Sequence, residues 1–201
     1  MRILIFSDIF GSISTTFIYN EVVELSKTHE VIYVCQERQN EKVFPFSNVK
    51  ILPYKINPVS KKIRWWQEIY DLKLSFVNSR YRKDIQQIIQ DFSPDLIHCH
   101  FGYEALKVLQ NVYTDTIPFV VSFRGYDASQ MLRRKSYVRQ LKKFLFKPNV
   151  FPTFVCEFLR GNLQKNGIEV NKHLILYSGT NLDFFKREKY DHRNEKYIFL
   201  Q

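Results

Sequence analysis

The sequence predicts an α/β fold around a mainly parallel sheet, and three observations carry the prediction. Short continuous apolar runs, the mark of strands buried on both faces, alternate with stretches of helical period along the chain. Most of the runs are closely followed by glycine or by Ser/Thr turn residues. Strand, helix and strand follow one another between Arg2 and Cys35, the length of one βαβ unit.

Arg2-Ile3-Leu4-Ile5-Phe6-Ser7 is the first such run, and Gly11 with Ser12, Ser14, Thr15 and Thr16 supplies turn and N-cap chemistry. Ile18, Val22 and Leu25 stand at helical spacing before a second strand, Val31–Cys35. Residues 36–48 are polar and irregular, and Val49–Leu52 reads as a third strand ended by Pro53 and Pro58. From Ser60 to Phe92 the pattern is helical, clearest at Tyr81, Ile85, Ile88, Ile89 and Phe92. Pro94-Asp95 breaks it before strand Leu96–His100, and Gly102 opens a short helix with Leu106 and Leu109. Pro118 precedes strand Phe119–Phe123, Gly125 follows, and a basic helix is expected from Ser129 to Phe146, ended by Pro148. Phe154-Val155-Cys156 reads as a strand, Glu157–Asn166 as a helix closed by Asn166-Gly167, and Leu174–Tyr177 as a strand followed by Gly179. After polar Lys186–Glu195 the apolar run Lys196–Leu200 starts one more strand. Paired back onto the same sheet it would be a terminal strand; the expected reading is the first strand of a second domain. This gives a Rossmann-like sandwich over residues 1–186, with linker and incoming strand over 187–201.

The length, 201 residues, is that of one domain or one and a fragment, and 45% hydrophobic with 25% charged residues is a globular composition. Such a chain can bury a core without disulfide or metal staples. A net charge of +10 favours an anionic partner. Cys35, Cys99 and Cys156 are odd in number and sit in or beside apolar runs, which suits reduced thiols and a cytoplasmic setting. Ile3–Phe6 is too short for a signal-peptide core, and no apolar stretch approaches the roughly 18 residues of a membrane span.

Gly11, Gly102, Gly125 and Gly179 lie near predicted strand C-termini, the edge of an open α/β sheet where ligands bind. Phe6–Ser12 contains a single glycine, so the dinucleotide-binding turn is absent, as is a Walker A loop; hydride transfer and P-loop ATP hydrolysis are excluded on that count. His98 and His100 share one strand face, but no further ligand is spaced to complete a metal site. His100, with Phe101-Gly102, is expected to face the crevice and His98 to lie in the core. Arg124, beside Gly125 and Asp127, reads equally as a holder of phosphate or sugar hydroxyl and as a surface partner of Asp127. Arg133, Arg134, Lys135, Arg139, Lys142, Lys143 and Lys147 form a cationic run with Met131, Val138, Leu141 and Leu145 on one helical face. Lys61-Lys62-Ile63-Arg64-Trp65-Trp66 adds a second basic patch with interfacial aromatics. Contact with an anionic membrane and a merely solvated face are both open.

Several segments together resemble the N-terminal domain of family-4 glycosyltransferases of the two-domain GT-B architecture. Ser14–Glu21 is similar to S-x-T-F-[IV]-x-N-E; Pro94–Gly102 to P-D-[LV]-[IV]-H-x-H-[FWY]-G; and Ile117–Asp127 to I-P-x-V-x-[ST]-x-H-G-x-D. Glu157–Arg160 resembles the end of S-E-F-[LM]-R, and Tyr177–Phe185 resembles [NYS]-x-G-[VI]-D-x-x-x-F. The family His of H-G-x-D is Arg124 here, the Ser before Glu157 is Cys156, and the Asp after Gly179 is Asn181. The resemblance implies retaining sugar transfer from a nucleotide sugar to a carbohydrate or lipid-linked acceptor in cell-surface polysaccharide or glycolipid assembly, without essential metal. This domain would hold the acceptor, and the E-x7-E carboxylates would belong to a donor domain that these residues lack. The chain would then be inactive alone, with no catalytic residue of its own and the nucleotide sugar as co-substrate of the full-length enzyme. The expected substrate-binding residues are Gly11, Ser12, His100, Gly102, Arg124, Gly125, Asp127, Glu157 and Gly179. Lys61, Lys62, Arg64, Trp65, Trp66, Arg133, Lys135, Arg139, Lys142 and Lys143 are the expected contacts to the inner face of the cytoplasmic membrane. The alternative is a non-enzymatic basic α/β module binding anionic membrane or nucleic acid. Nucleic acid is disfavoured because the aromatics lie mainly in buried-looking runs and no nucleic-acid-binding motif is present.

Overall fold

The computed structural model describes residues 1–55, 58–72, 75–112, 116–170 and 172–179; the expected linker and incoming strand, 187–201, lie outside them. Strands β1 (Arg2–Phe6), β3 (Glu30–Cys35), β5 (Val49–Ile51), β6 (Leu96–His100), β7 (Phe119–Phe123), β8 (Val150–Phe154) and β9 (Leu174–Ile175) form a seven-stranded sheet ordered β5-β3-β1-β6-β7-β8-β9. Every pairing in it is parallel, the Rossmann-like arrangement expected from the alternation of apolar runs. A two-stranded ladder of β2 (Ile9–Phe10) and β4 (Glu37–Arg38) stands apart. Helices α1 (Thr16–Ser26), α2 (Pro58–Ile69), α3 (Ser79–Phe92), α4 (Gly102–Leu109), α5 (Lys135–Leu145) and α6 (Glu157–Lys165) connect the strands.

Alternation along each strand divides the core. Leu4, Phe6, Ile32, Val34, Ile97, Cys99, Val121 and Phe123 point to one face, where they join Ile85, Leu106, Leu141 and Leu163 of the helices in the larger cluster. Ile3, Ile5, Val31, Tyr33 and Cys35 point to the other, against Ile18 and Val22 of α1. Burial pushes the Cys35 thiol up to about 11 and raises Cys99 as well, so both behave as core hydrophobes.

The larger differences from expectation fall in three places. The eighth strand is Val150–Phe154 rather than Phe154–Cys156, although Pro152 stands in its middle. The Val155 N–H donates to Phe123 O on β7 and Phe154 O accepts from Leu176 N–H on the β9 side, so Pro152 faces β9. Pairing to β9 begins only at Thr153, so no ladder bond is lost. The basic helix begins at Lys135, and the residues before it form 3-10 turns at Tyr126–Ala128 and Gln130–Arg133. Its buried face is therefore Tyr137, Leu141, Phe144 and Leu145, with Val138 only partly buried. The long helical stretch divides into α2 and α3, and the Asn78 side chain caps α3 by accepting from the Tyr81 N–H at 3.0 Å. Asp71, just beyond α2, accepts from the backbone N–H groups of Lys135 and Ser136 at 2.5 and 2.9 Å, capping α5 and holding the end of α2 against it.

The chain builds outward through β3 and β5 on one side of β1 and through β6 to β9 on the other, so the sheet reverses direction between β1 and β6. Ligand crevices of open α/β sheets lie outside the carboxyl ends at that point. Gly102 opens α4 there because no side chain fits: a Cβ would meet the Phe123 ring at 2.3 Å and the Tyr137 hydroxyl at 2.7 Å. Gly102→Ala is expected to destabilise the fold by about 1–3 kcal/mol through overpacking, read as a lower midpoint in urea unfolding with unchanged slope.

Candidate functional site

Among the described residues, two cavities lie at the carboxyl edge. The first, about 550 Å³, is lined by Ser7, Ser12, Ser14 and Thr15 on the α1 side and by Phe101, Glu104, Tyr126, Asp127, Met131 and Arg134 opposite. The second, about 490 Å³, runs between α1 and the sheet, with Glu21, His98, Ser122, Arg124, Thr153 and Ser178 among its walls.

A charge cluster joins α1 to the second cavity. Glu21 Oε2 accepts from Arg124 Nη2 at 2.9 Å, and its Oε1 lies 3.1 Å from His98 Nδ1 and 3.8 Å from His100 Nε2. Beyond it, His98 Nε2 meets Ser122 Oγ at 2.7 Å, and Ser122 meets Thr153 Oγ1 at 2.8 Å. The Arg124 guanidinium lies 4.7 Å from the centre of the Phe17 ring, a cation–π contact. Burial opposes ionisation of Glu21, but the His98 hydrogen bond and the charges of His100, His98 and Arg124 outweigh it and hold the carboxyl down at about 2. Burial and the neighbouring charge of His98 push His100 well below its usual range. Arg124 therefore meets a ligand already paired, and the cluster presents hydrogen-bonding groups more than net positive charge.

A second network reaches the first cavity through Glu104 and Asp127. Asp8, just after β1, is bound through its carboxylate by Lys107 and Gln36, and its N–H donates to Glu104 Oε2 at 2.6 Å. Burial and the Asp8 charge push the Glu104 carboxyl well above the ordinary carboxylate range. Asp127 is buried, and its carboxylate accepts from the backbone N–H groups of Gly102, Arg124 and Gly125 at 2.7, 3.1 and 2.9 Å. That geometry ties the turn after β7 to the N-terminus of α4. Burial raises its carboxyl, and the three N–H bonds work in the opposite direction.

The expected site residues are distributed as follows. Ser12 and Asp127 line the first cavity, while Arg124 and Gly179 line the second. Gly11, at φ 81°, packs where a Cβ would lie 2.2 Å from Gln39 O, so its role is in the turn. Gly125 serves as a backbone donor to Asp127, and Gly102 as a close-packing position and donor. His100, expected to face the crevice, is 0% exposed beneath Arg124; His98, expected in the core, is the one that lines a cavity. Arg124 pairs with Glu21, not with Asp127, which removes the surface-pair alternative. Glu157 is away from both cavities, exposed at the start of α6 and paired with Arg160 at 2.6 Å. Glu21 and Glu104 were not anticipated, though Glu21 closes the Ser14–Glu21 motif and Glu104 follows the Pro94–Gly102 motif. Glu21 also supplies the third metal-type ligand that spacing alone did not: its oxygen and the nitrogens of His98 and His100 lie within 4.8 Å of one another. Arg124 is bound to the other oxygen of the same carboxylate.

Of the basic segments, Lys61, Lys62, Trp65 and Trp66 are exposed on α2, and the Arg64 side chain lies outside the described residues. Arg133, Lys135, Arg139, Lys142 and Lys143 are exposed around α5, but the apolar face of that helix is committed to the core. What α5 offers a membrane is charge, not insertion. Among the described residues no helix is long and apolar enough to cross a membrane.

The model of Glycosyltransferase Family 4 matches residues 14–184. No curated protein sequence matches the chain. Solved structures with a similar fold include UDP-N-acetylglucosamine 2-epimerase from Rickettsia bellii, at TM-score 0.56 and 12% identity over 89% of this chain. UDP-GlcNAc 2-epimerase from Neisseria meningitidis, bound to UDP-GlcNAc, is similar at TM-score 0.51 and 14% identity over 87%. The chain spans 45% of the length of each.

The Glu21 cluster carries a pH signature. Holding a carboxyl of ordinary value 4.5 at about 2 corresponds to about 3 kcal/mol of folding free energy. This stabilisation is complete above pH 4.5 and is lost as pH falls through 2. Glu21→Gln is expected to lower the stability measured by urea unfolding at pH 7, with the gap to the parent protein closing as the pH falls through that interval.

Proposed function

Because the chain belongs to glycosyltransferase family 4, we propose that it forms the acceptor-side half of an enzyme transferring a sugar from a nucleotide sugar to a carbohydrate or lipid-linked acceptor. The observation carrying this reading is the 550 Å³ cavity beside the point where the sheet reverses, with hydroxyls on one wall and aromatic surface on the other. An acceptor held there would lie at the edge of the domain, open to a donor approaching from outside the sheet. Breaking a glycosyl–phosphate bond requires preorganised groups that stabilise the departing diphosphate, as well as donor and acceptor held together. With Arg124 paired to Glu21, that guanidinium offers little to a diphosphate. The purified 201-residue chain is expected to bind glycosides, seen by saturation-transfer NMR, and to transfer no labelled sugar from a panel of nucleotide sugars. Turnover by the chain alone would overturn the half-site reading.

A specific observation favours a membrane-surface setting for this activity, in cell-surface polysaccharide or glycolipid assembly. On and just after α2, Ile63, Trp65, Trp66, Ile69, Tyr70 and Leu72 are exposed large hydrophobics, and Lys61 and Lys62 accompany them. Tryptophan, tyrosine and lysine together suit the headgroup region of an anionic bilayer. Through the Asp71 cap the end of α2 lies beside the cationic start of α5, which extends the positive surface. In sedimentation, anionic vesicles are expected to retain the chain and neutral ones to release it, with Trp65→Ala/Trp66→Ala reducing the anionic signal several-fold. Equal recovery with both vesicle types would remove the membrane reading.

A further inference from the structure

Resting on the reading that the first cavity receives the acceptor, we propose that Glu104 is its specificity residue: its carboxyl hydrogen-bonds a hydroxyl of an uncharged sugar ring and, when ionised, excludes a ring bearing its own carboxylate. Glu104 lines the cavity, and its Oε2 is occupied by the Asp8 N–H at 2.6 Å, which leaves the other oxygen for a ligand. Around it the cavity divides as a pyranose does. Ser12, Ser14 and Thr15 offer hydroxyls to a ring edge, while Phe101, Met131 and Tyr126, the last 67% exposed, offer surface to a C–H face.

The charged and titratable groups facing Glu104 are Asp8 after β1, Lys107 on its own helix, Asp127 after β7, Arg134 before α5, and the buried Tyr33 and Cys99. None of them is a counter-cation reserved for a ligand. Lys107 is bound to Asp8, and Asp127 is occupied by three backbone N–H groups. Arg134 is exposed, so water and salt screen its charge. Burial and Asp8 push the Glu104 carboxyl up, so on the acid side of its titration it donates a hydrogen bond to a ring oxygen. Once ionised it still accepts from a ring hydroxyl but repels a carboxylate placed against it.

The test is saturation-transfer NMR titration of the chain with methyl hexopyranosides and the matching methyl uronosides, from about pH 6 to about pH 9. The neutral glycoside is expected to bind at least about tenfold more tightly than its acidic partner at the upper end, with the gap widening as pH rises. Glu104→Gln retains an oxygen for the Asp8 N–H; it should reduce the preference to about twofold or less and abolish its pH dependence. Tyr126→Ala should weaken both glycosides alike. A preference that survives Glu104→Gln, or a parent gap that does not widen with pH, overturns the assignment of Glu104 while leaving the cavity as an acceptor site. Binding of neither glycoside removes the acceptor reading and this inference with it.

Discussion

The carboxylate of Asp127 is the contact on which the site depends. It accepts three backbone N–H groups, from Gly102 at the head of α4 and from Arg124 and Gly125 after β7. These segments follow adjacent strands and would otherwise leave unpaired donors at a buried helix start. An anion at the N-terminus of α4 also complements that helix's dipole. The result is a fixed wall between the two cavities, with Glu104 on one side and Arg124 on the other. The Tyr137 hydroxyl adds a bond to the Asp127 carbonyl at 2.9 Å, fastening the same turn to α5.

Glu21 and Glu104 show how one residue type acquires different properties from its surroundings. Both are partly desolvated. Glu21 gains a hydrogen bond from His98 and the positive charge of Arg124, and ionises readily. Glu104 gains the Asp8 carboxylate as a neighbour and resists ionisation, despite Lys107 nearby. The decisive variable is which strand end delivers the counter-charge, a property of sheet order and not of composition.

Much of the fold was legible because parallel strands buried on both faces leave continuous apolar runs, as at Ile3–Phe6, Val31–Cys35 and Phe119–Phe123. The expected strand Phe154–Cys156 lies instead at Val150–Phe154, where Pro152 is tolerated because pairing to β9 begins only at Thr153. Met131 fits the helical period of the basic helix although it lies in a 3-10 turn, so the helix is shorter than its sequence pattern. At the site, position was readable and role was not. Asp127 lines the first cavity and Gly102 opens α4 beside it, yet one serves backbone donors and the other packs against Phe123. Glu21 and Glu104 escaped because their partners are remote: Asp8 and Glu104 are 96 residues apart, and Glu21 reaches Arg124 across 103. Such pairs emerge only once β1, β6 and β7 are known to be neighbours.

The bond between Glu21 and Arg124 has a consequence for any polyanion arriving at this edge. A guanidinium that already shares a carboxylate and rests on the Phe17 ring is a self-contained zwitterion. To recruit it, an incoming phosphate must displace a resident rival that lies within the same polypeptide and is never diluted. The Glu21–Arg124 pair thus shapes this wall more than it charges it.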